Sequence, residues 1–411
     1  MKRPAFKLTA CFAAASLLLG GCSVPDNTGL GSTVNPTSGS SEQSQPKIDF
    51  SQYRGYGFLG LQNDAERILY ANVDKAIRSL TPEAFTTPKL DDFDHISDVL
   101  DFYLHDHPDV FWLPIQDSYT CRYYEGEPNM TVTLNYSVSG DELTEAQEEL
   151  DAIKRSVLDS APDGAYEREL YFHDYLMNNC EYDDGTTEGE NADQSTSYGA
   201  LVKRKAVCEG YARAFELLCT DSGIPSWLVT GKGINTDGSE EFHIWNIVQL
   251  DGSWYHVDVT WDDSDGDVDH DIYQYLYFNV TDEEIRQDHT FSPLYSDYSD
   301  TDINYNVFLP QCTDTAYSYY RRNSQLLRDL DSGEPAAYLA KQAANGAREG
   351  VFRLDSGMDL TDTYHAILNE YAYSWLTSAN EINGYSPAVA DTCYVSYSDI
   401  RGLITVSLDY L

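Results

Sequence analysis

The sequence predicts an α+β fold for this chain of 411 residues. Segments whose apolar residues recur every three or four positions, the period of a helix, are interspersed with short segments rich in β-branched and aromatic residues, which are typical of strands. Two of these strands are joined by Asp251-Gly252, a strong signal for a tight hairpin, so part of the sheet is antiparallel. Hydrophobic residues make up 42% of the chain, enough to bury a large core.

The charge balance excludes two classes of function. The chain has 26 Lys and Arg against 68 Asp and Glu, for a formal net charge of −42. Binding to nucleic acid or to an anionic membrane surface draws on clustered basic residues, so we expect no nucleic-acid partner and no basic membrane-binding patch. The acidic excess serves solubility and points only weakly to cationic ligands.

The N-terminal residues 1–21 are predicted to be a signal peptide. A positively charged start precedes the apolar run Ala10–Leu19, which is too short to span a bilayer. The run leads into Gly20-Gly21-Cys22, which resembles a bacterial lipobox, in which the cysteine becomes the lipidated N-terminus. An ordinary signal peptide that happens to contain a cysteine is the alternative. We expect export, lipidation at Cys22 and anchoring on the extracytoplasmic side of the cell membrane.

Composition divides the remainder of the chain. Residues 22–49 are rich in Ser, Thr, Gly and Pro, which is typical of a flexible tether. Residues 50–140 are predicted to form an N-terminal α+β region, residues 141–290 a central domain and residues 291–411 a C-terminal α+β region. No run of about 18 apolar residues occurs after the signal peptide, so the only expected membrane attachment is the lipid.

Hydrophobic periodicity and turn signals predict the individual elements. Predicted helices are Ala65–Leu80, His95–Leu104, Glu142–Leu158, Tyr166–Met177, Cys208–Cys219, Tyr319–Leu330 and Pro335–Gly346. Predicted strands are Val110–Leu113, Tyr119–Tyr124, Met130–Ser137, Trp227–Thr230, Phe242–Leu250, Ser253–Thr260, Tyr394–Tyr397 and Leu403–Leu408.

The cysteines do not predict a disulfide framework or a zinc site. Of the eight, Cys11 leaves with the signal peptide and Cys22 takes the lipid, so six scattered cysteines remain. They form no CxxC pair, so a structural zinc site has no support. The acidic segment 262–271 does not fit an EF-hand, because Trp261 and Ile272 would occupy the first and last ligand positions. A solvated acidic loop is the favoured interpretation, and a weak cation site stays open.

The predicted hairpin brings an imidazole close to a carboxylate. With a two-residue turn at Asp251-Gly252, Trp245 lies directly opposite Asp258. His243 is then the diagonal neighbour of Asp258 on the same face of the sheet, and the backbones of these two residues are about 7 Å apart. A carboxylate beside an imidazole fixes its tautomer and stabilises the imidazolium. The register therefore favours His243 as a general base oriented by Asp258. His256 shares this face and is the weaker alternative base.

A nucleophile is predicted where a helix begins. At a helix N-terminus, Cys208 would lie near the positive end of the macrodipole and near unpaired N–H groups, which favour a thiolate and could hold an oxyanion. Arg204 and Lys205 add positive charge nearby. Gly210, which is costly inside a helix, would allow another chain or the substrate to approach closely.

Cys208, His243 and Asp258 fit the roles of nucleophile, general base and orienter. Spacing alone leaves open that Cys208 is a small buried residue and that the other two form only a satisfied polar pair.

Three sequence blocks resemble the transglutaminase-like superfamily: Ala206-Val-Cys-Glu-Gly-Tyr-Ala212, Phe242-His-Ile-Trp-Asn246 and Trp254-Tyr-His-Val-Asp-Val-Thr-Trp261. The resemblance implies a papain-like core in which a helix packs on an antiparallel sheet, with Cys208, His243 and Asp258 as a catalytic triad. One departure is Ile244, where the family commonly has Ala and where a larger side chain could narrow access. Tyr198, ten residues before the cysteine, is a candidate oxyanion contact whose alternative role is packing.

The resemblance implies an enzyme that transfers acyl groups through a cysteine thioester, without a cofactor or metal, and the signal peptide and lipobox place it at the cell surface. Its expected substrate is an amide bond of a peptide or protein. Whether water or an amine resolves the thioester stays open, so the chain is either a peptidase or a transglutaminase. The alternative is a surface binding module that retains the fold without catalysis, and the intact triad counts against it. Nothing in the sequence indicates the oligomeric state.

Overall fold

A computed structural model describes residues 48–80, 83–91, 93, 95–114, 117–183, 185, 193–235, 237–263, 273–291, 309–398 and 401–411. The predicted signal peptide, Cys22, all but the last two residues of the tether and most of the acidic segment 262–271 lie outside these ranges. Helices and mainly antiparallel sheets make up an α+β fold, as predicted. None of the helices in these ranges is sufficiently long and apolar to cross a membrane.

The chain forms two compact units. Of the described residues, the first unit contains those between Met1 and Ile247 and between Asp288 and Pro310, and the second contains those between Val248 and Gln287 and between Gln311 and Leu411. The domain boundaries expected from composition stay a prediction.

The first unit contains most of the long helices. Asn63 caps the helix Asp64–Arg78 by accepting a hydrogen bond from the Glu66 backbone N at 3.1 Å, and acidic residues in the first turn complement the helix dipole. The predicted helices in this part of the chain are confirmed to within a few residues. The helices are α1 (Tyr56–Gly60), α2 (Asp64–Arg78), α3 (His95–Asp106), α4 (Gly140–Ser160), α5 (Ala165–Asn179) and α6 (Cys208–Asp221).

Three groups of strands belong to the first unit. An antiparallel sheet has the order β1-β3-β2, formed by β1 (Phe85–Pro88), β2 (Tyr119–Tyr123) and β3 (Asn129–Leu134). A short parallel pair joins β4 (Glu181–Tyr182) and β5 (Lys205–Ala206). Neighbouring strands in the order β10-β6-β7 are β6 (Ser226–Ile234), β7 (Glu240–Leu250, whose last three residues belong to the second unit) and β10 (His289–Phe291).

The hairpin turn after β7 is confirmed. Strand β8 (Ser253–Val257) begins directly after Asp251 and Gly252, whose φ angles of 48° and 88° are both positive, as a two-residue type I′ turn requires. The strand is shorter than the predicted Ser253–Thr260, because Asp258 leaves the ladder to cap the short helix α7 (Val259–Asp262).

The second unit continues into an α/β layer at its C-terminal end. The further elements of this unit are β9 (Phe278–Val280), α8 (Asp282–Ile285), α9 (Tyr319–Arg322), β11 (Leu326–Leu327), α10 (Glu334–Ala344), β12 (Glu349–Leu354), α11 (Leu360–Ala366), α12 (Ala372–Ile382), β13 (Val395–Ser398) and β14 (Leu403–Ser407). A four-stranded sheet with the order β11-β12-β14-β13 shares one buried core with helices α10 and α12, and this core includes Leu339, Phe352, Trp375 and Ile404.

Two of the predicted elements are wrong. Val110–Leu113 is irregular rather than a strand, although all four residues are buried, so its apolar run reflects burial and not strand pairing. The predicted helix Tyr319–Leu330 ends at Arg322, since Ser324 adopts a left-handed φ of 60° and Leu326 begins a strand.

One half-buried carboxylate ties two helices of the first unit together. Asp106, the last residue of α3, accepts hydrogen bonds from the backbone N of Gly57 at 2.7 Å and of Phe58 at 2.8 Å, both in α1. It also accepts one from the Tyr70 hydroxyl of α2 at 2.8 Å. Burial raises the pKa of Asp106 to about 6, so these donors offset the cost of placing a carboxylate there.

We expect Asp106→Ala to lower the free energy of unfolding by about 2–3 kcal/mol, because three donors lose a shared acceptor. Urea denaturation measures the change. The matched control is Asp159→Ala, which removes an exposed carboxylate near the end of α4 and is expected to change stability by less than about 0.5 kcal/mol. Equal midpoints for the two variants would contradict the structural role of Asp106.

Candidate active site

Helix α6 begins at Cys208, as predicted. The preceding residue, Val207, is extended and has no side-chain cap, so the first turn of the helix starts without a competing side-chain acceptor. Cys208 is half-buried, whereas Cys219 near the other end of the same helix is fully buried. The predicted nucleophile therefore combines a helix N-terminus with partial access.

The chain itself fills the space beside the start of α6. A Cβ on Gly210 would come within 2.4 Å of the Gln194 backbone O and 2.7 Å of the Ala206 Cβ. The Val207 N donates to the same Gln194 O at 3.0 Å. Gly210 thus admits the chain's own segment around Gln194, and the expected approach by another chain or the substrate has no support at this position.

The positive charge predicted near the nucleophile is partly neutralised. Lys205 of β5 forms an ion pair at 3.3 Å with Asp183, the residue after β4. Farther along α6, Arg213 and Glu209 form a buried ion pair at 2.8 Å, and Arg213 also donates to the Leu104 carbonyl O of α3. The first pair lowers the positive charge near Cys208, and the bond from Arg213 to Leu104 ties α6 to α3.

Strand β7 carries the predicted base and is bound to α6. The Asn246 side chain donates to the Ala212 carbonyl O at 3.0 Å, one turn after Cys208. Ile244 lies in a buried cluster with Ala212 and Leu228, so the residue that departs from the family pattern packs between β7, β6 and α6. This joins a helix to a sheet, which is the packing that the resemblance implied.

His243 contacts a different set of residues. It is 3% exposed, and its ring stacks on Trp245 with centroids 5.9 Å apart. The ring of His289 on β10 lies 5.4 Å from the His243 ring. His243 and Trp245 thus face β10, whereas the neighbouring Ile244 and Asn246 face α6. The pairing of the Cys208 thiol with the His243 ring stays a prediction.

Glycine on the intervening strand allows the contact between β7 and β10. Gly231 of β6 lies opposite Phe291 of β10, and a Cβ on it would come within 2.7 Å of the Trp245 ring. The Trp245 ring instead lies 4.9 Å from the His289 ring and 5.6 Å from the Phe291 ring. The sequence signal was the Gly231-Lys-Gly233 run inside a strand, since glycine there often marks close approach.

Asp258 lies in the second unit, directly after β8. It is 1% exposed, and its Oδ1 accepts a hydrogen bond from the Trp261 N at 3.2 Å, which caps α7. Asp258 therefore has a structural role as a helix cap, which its sequence pattern did not predict. Its predicted juxtaposition with His243 stays a prediction.

The two weaker candidates have other roles. The His256 Nε2 lies 2.8 Å from the Asp282 Oδ1, so this ring nitrogen already has a carboxylate partner. The Tyr198 hydroxyl donates to Glu149 at 2.7 Å and its ring stacks on Phe111 at 4.5 Å. Burial, together with Glu149, raises the pKa of Tyr198. These contacts fit packing, and a contact of Tyr198 with an oxyanion stays a prediction.

One group in the second unit has the donor set of a metal site. Ligand atoms of His256, Asp282 and Cys312 lie within 4.8 Å of one another. Burial raises the pKa of the Cys312 thiol, with the Asp282 charge adding to the effect, so the thiol is held in its neutral form. The six cysteines in the described ranges form no disulfides with one another.

Comparison with known proteins identifies the part of the chain that contains the candidate residues. A family model described as the transglutaminase-like superfamily matches residues 151–259, a range that includes Cys208, His243 and Asp258. Human kyphoscoliosis peptidase is 31% identical over 94 residues, which are 21% of this chain and 14% of that protein. The chain therefore spans a small part of the length of this curated relative.

Solved structures show weaker similarity. A structure described as a TGase has a TM-score of 0.26 and 15% identity, over 36% of this chain and 45% of that chain. A protein of Cytophaga hutchinsonii, described as a candidate cysteine protease, has a TM-score of 0.22 and 17% identity, over 32% of this chain and 53% of that chain. The family-model match thus supports a transglutaminase-like domain over residues 151–259.

Proposed function

We propose that this protein is a cysteine-dependent acyl-transfer enzyme that acts on amide bonds of peptides or proteins. The observation that carries the proposal is the position of Cys208, a half-buried thiol at the first residue of α6, inside the matched transglutaminase-like range. In the proposed triad His243 is the base and Asp258 orients it. Helix dipole and first-turn N–H groups favour the thiolate and a developing oxyanion at this position.

In the proposed reaction the Cys208 thiolate attacks the amide carbonyl carbon, and a C–S bond forms as the C–N bond breaks. The His243 imidazolium gives its proton to the leaving amine. Water or a second amine then attacks the thioester while His243 takes up the proton, releasing an acid or a new amide together with the thiolate. Both outcomes use the same residues, so hydrolysis and transamidation remain two forms of this proposal.

The other thiols support the assignment by contrast. Burial raises the pKa of Cys219 on the same helix, and nearby Glu169 and Glu216 add to the effect. Burial and the charge of Asp409 raise the pKa of Cys393, which is half-buried like Cys208. Neither environment favours a thiolate, so Cys208 is the cysteine whose reactivity distinguishes an enzyme from a binding module.

We also propose that the protein is exported and held at the cell membrane by a lipid on Cys22. The sequence from the basic N-terminus to Gly20-Gly21-Cys22 supports this assignment.

Alkylation by iodoacetamide tests the nucleophile without a known substrate. We expect the Cys208 peptide of the native protein to be modified at neutral pH at least about tenfold faster than the Cys393 peptide, because only a thiolate reacts. Peptide mass spectrometry measures both rates. Cys208→Ala should remove the fast reaction and any amidase activity, whereas the matched control Cys393→Ala should keep both. Equal rates for the two peptides would favour the non-catalytic binding module.

Asp258→Asn tests the orienter. A carboxylate beside an imidazole favours the imidazolium by about tenfold or more, and the imidazolium in turn stabilises the thiolate. The variant should therefore lower the alkylation rate of Cys208 by about tenfold at neutral pH. At strongly alkaline pH, where the thiolate forms without help, the rates should converge. An unchanged profile across the whole range would leave Asp258 with only its role as the cap of α7.

Cys22→Ala tests the lipid anchor. The variant should move the protein from the detergent-soluble membrane fraction to the aqueous fraction, and metabolic labelling with a fatty acid should disappear. Cys11→Ala is the control and should keep both the label and the membrane fraction. A labelled Cys22→Ala protein would contradict the anchor.

A further inference from the structure

The interactions of His243 point to a second imidazole–carboxylate pair. His289 of β10 is buried, with its ring 5.4 Å from the His243 ring and a ring nitrogen of each within 4.8 Å of the other. The His289 Nδ1 lies 2.7 Å from the Asp288 Oδ1. Because a carboxylate only accepts, this nitrogen carries the proton, and the tautomer of His289 is fixed.

The surroundings leave the His289 ring little freedom. Its side chain is fully buried, whereas Asp288 is 21% exposed, so the carboxylate remains hydrated at its outer edge. The Trp245 ring meets the His289 ring edge-on at 4.9 Å and stacks on His243. The three rings form one cluster across Gly231, which has no side chain to separate them.

We infer that the Asp288–His289 pair is a positioning element for His243, and this inference rests on the proposed acyl-transfer function. The His289 ring restricts the orientation of the His243 ring from the side of β10. With a neutral imidazole the pair carries the net negative charge of Asp288. That charge favours the protonated form of His243, which the proposed mechanism needs beside a thiolate.

Other charged groups near His243 also influence its protonation. Burial raises the pKa of Glu241, two residues before His243 on β7, and the charge of His243 opposes that rise. Lys232 on β6 pairs with Glu240 at 3.6 Å, so its charge is directed to the exposed end of the strand. Asp258 is the further carboxylate that the hairpin register predicts beside His243. Asp288 therefore acts together with these acids, and its effect must be isolated by its own variants.

The test uses iodoacetamide alkylation of Cys208 as a function of pH, with the full chain. His289→Phe keeps a ring against Trp245 but removes both nitrogens, and Asp288→Asn keeps the shape of the pair but removes its charge. We expect each variant to lower the Cys208 rate at neutral pH by about tenfold, within the range that misplacement of a reacting group costs. At strongly alkaline pH the rates should return to that of the native protein.

The chain offers a matched control in the same unit. His173 of α5 is also a fully buried histidine whose Nδ1 pairs with the next residue, Asp174, at 3.1 Å. His173→Phe and Asp174→Asn should leave the Cys208 profile unchanged, even where they lower the melting temperature. Comparing the variants of the two pairs distinguishes a positioning role of His289 and Asp288 from a general loss of stability.

The outcomes are distinct. If the native protein alkylates Cys208 no faster than Cys393, the proposed function fails and this inference fails with it. If Cys208 is fast and both Asp288→Asn and a folded His289→Phe keep the native profile, the inference alone is overturned. Should His289→Phe not fold, Asp288→Asn decides. An equal loss in the His173 and Asp174 variants also overturns it.

Discussion

The candidate site depends on how helix α6 is fixed against strand β7. The hydrogen bond from the Asn246 side chain to the Ala212 carbonyl O reaches the helix one turn after Cys208. The buried contacts of Ile244 with Ala212 and Leu228 add an apolar seam beside it. Since a buried amide left without its acceptor is costly, this bond fixes the position of α6 along the direction of β7. The distance between the Cys208 thiol and the His243 ring depends on that position.

Strand β7 has two faces with different tasks. Ile244 and Asn246 hold α6, while His243 and Trp245 form a cluster of rings with β10. The alternation of a strand makes this division unavoidable, because successive side chains point to opposite sides. In the proposed site the His243 ring is therefore positioned from the side of β10, where the rings of Trp245 and His289 contact it.

Much of the fold could be predicted because its signals are local. In helices such as Glu142–Leu158, apolar residues recur at helical spacing over many positions. The Asp251-Gly252 turn has one preferred geometry. The end of β8 could not be predicted, because Asp258 acts as a helix cap only where the chain turns into α7. The strand predicted at Val110–Leu113 is wrong, because a short apolar run has the same sequence pattern whether it is a strand or a buried irregular segment.

Local sequence predicts which residues begin an element, but it does not predict which strands lie side by side. Cys208 at the start of α6 followed from its neighbours in the sequence. His289 is 46 residues from His243, and nothing local indicates that β10 pairs with β6. Gly231 was the available signal, since glycine in a strand often marks a close approach by a neighbouring group.

Trapping the acyl-enzyme tests Cys208 as the nucleophile without a known substrate. The native protein would be mixed with p-nitrophenyl acetate, quenched in acid and analysed by mass spectrometry. We expect a single acetyl group on the Cys208 peptide that hydroxylamine removes. This group should be absent from Cys208→Ala and strongly reduced in His243→Ala. If an acetyl group persists in Cys208→Ala, or if native Cys208 stays unmodified while Cys393 is labelled, Cys208 is not the nucleophile.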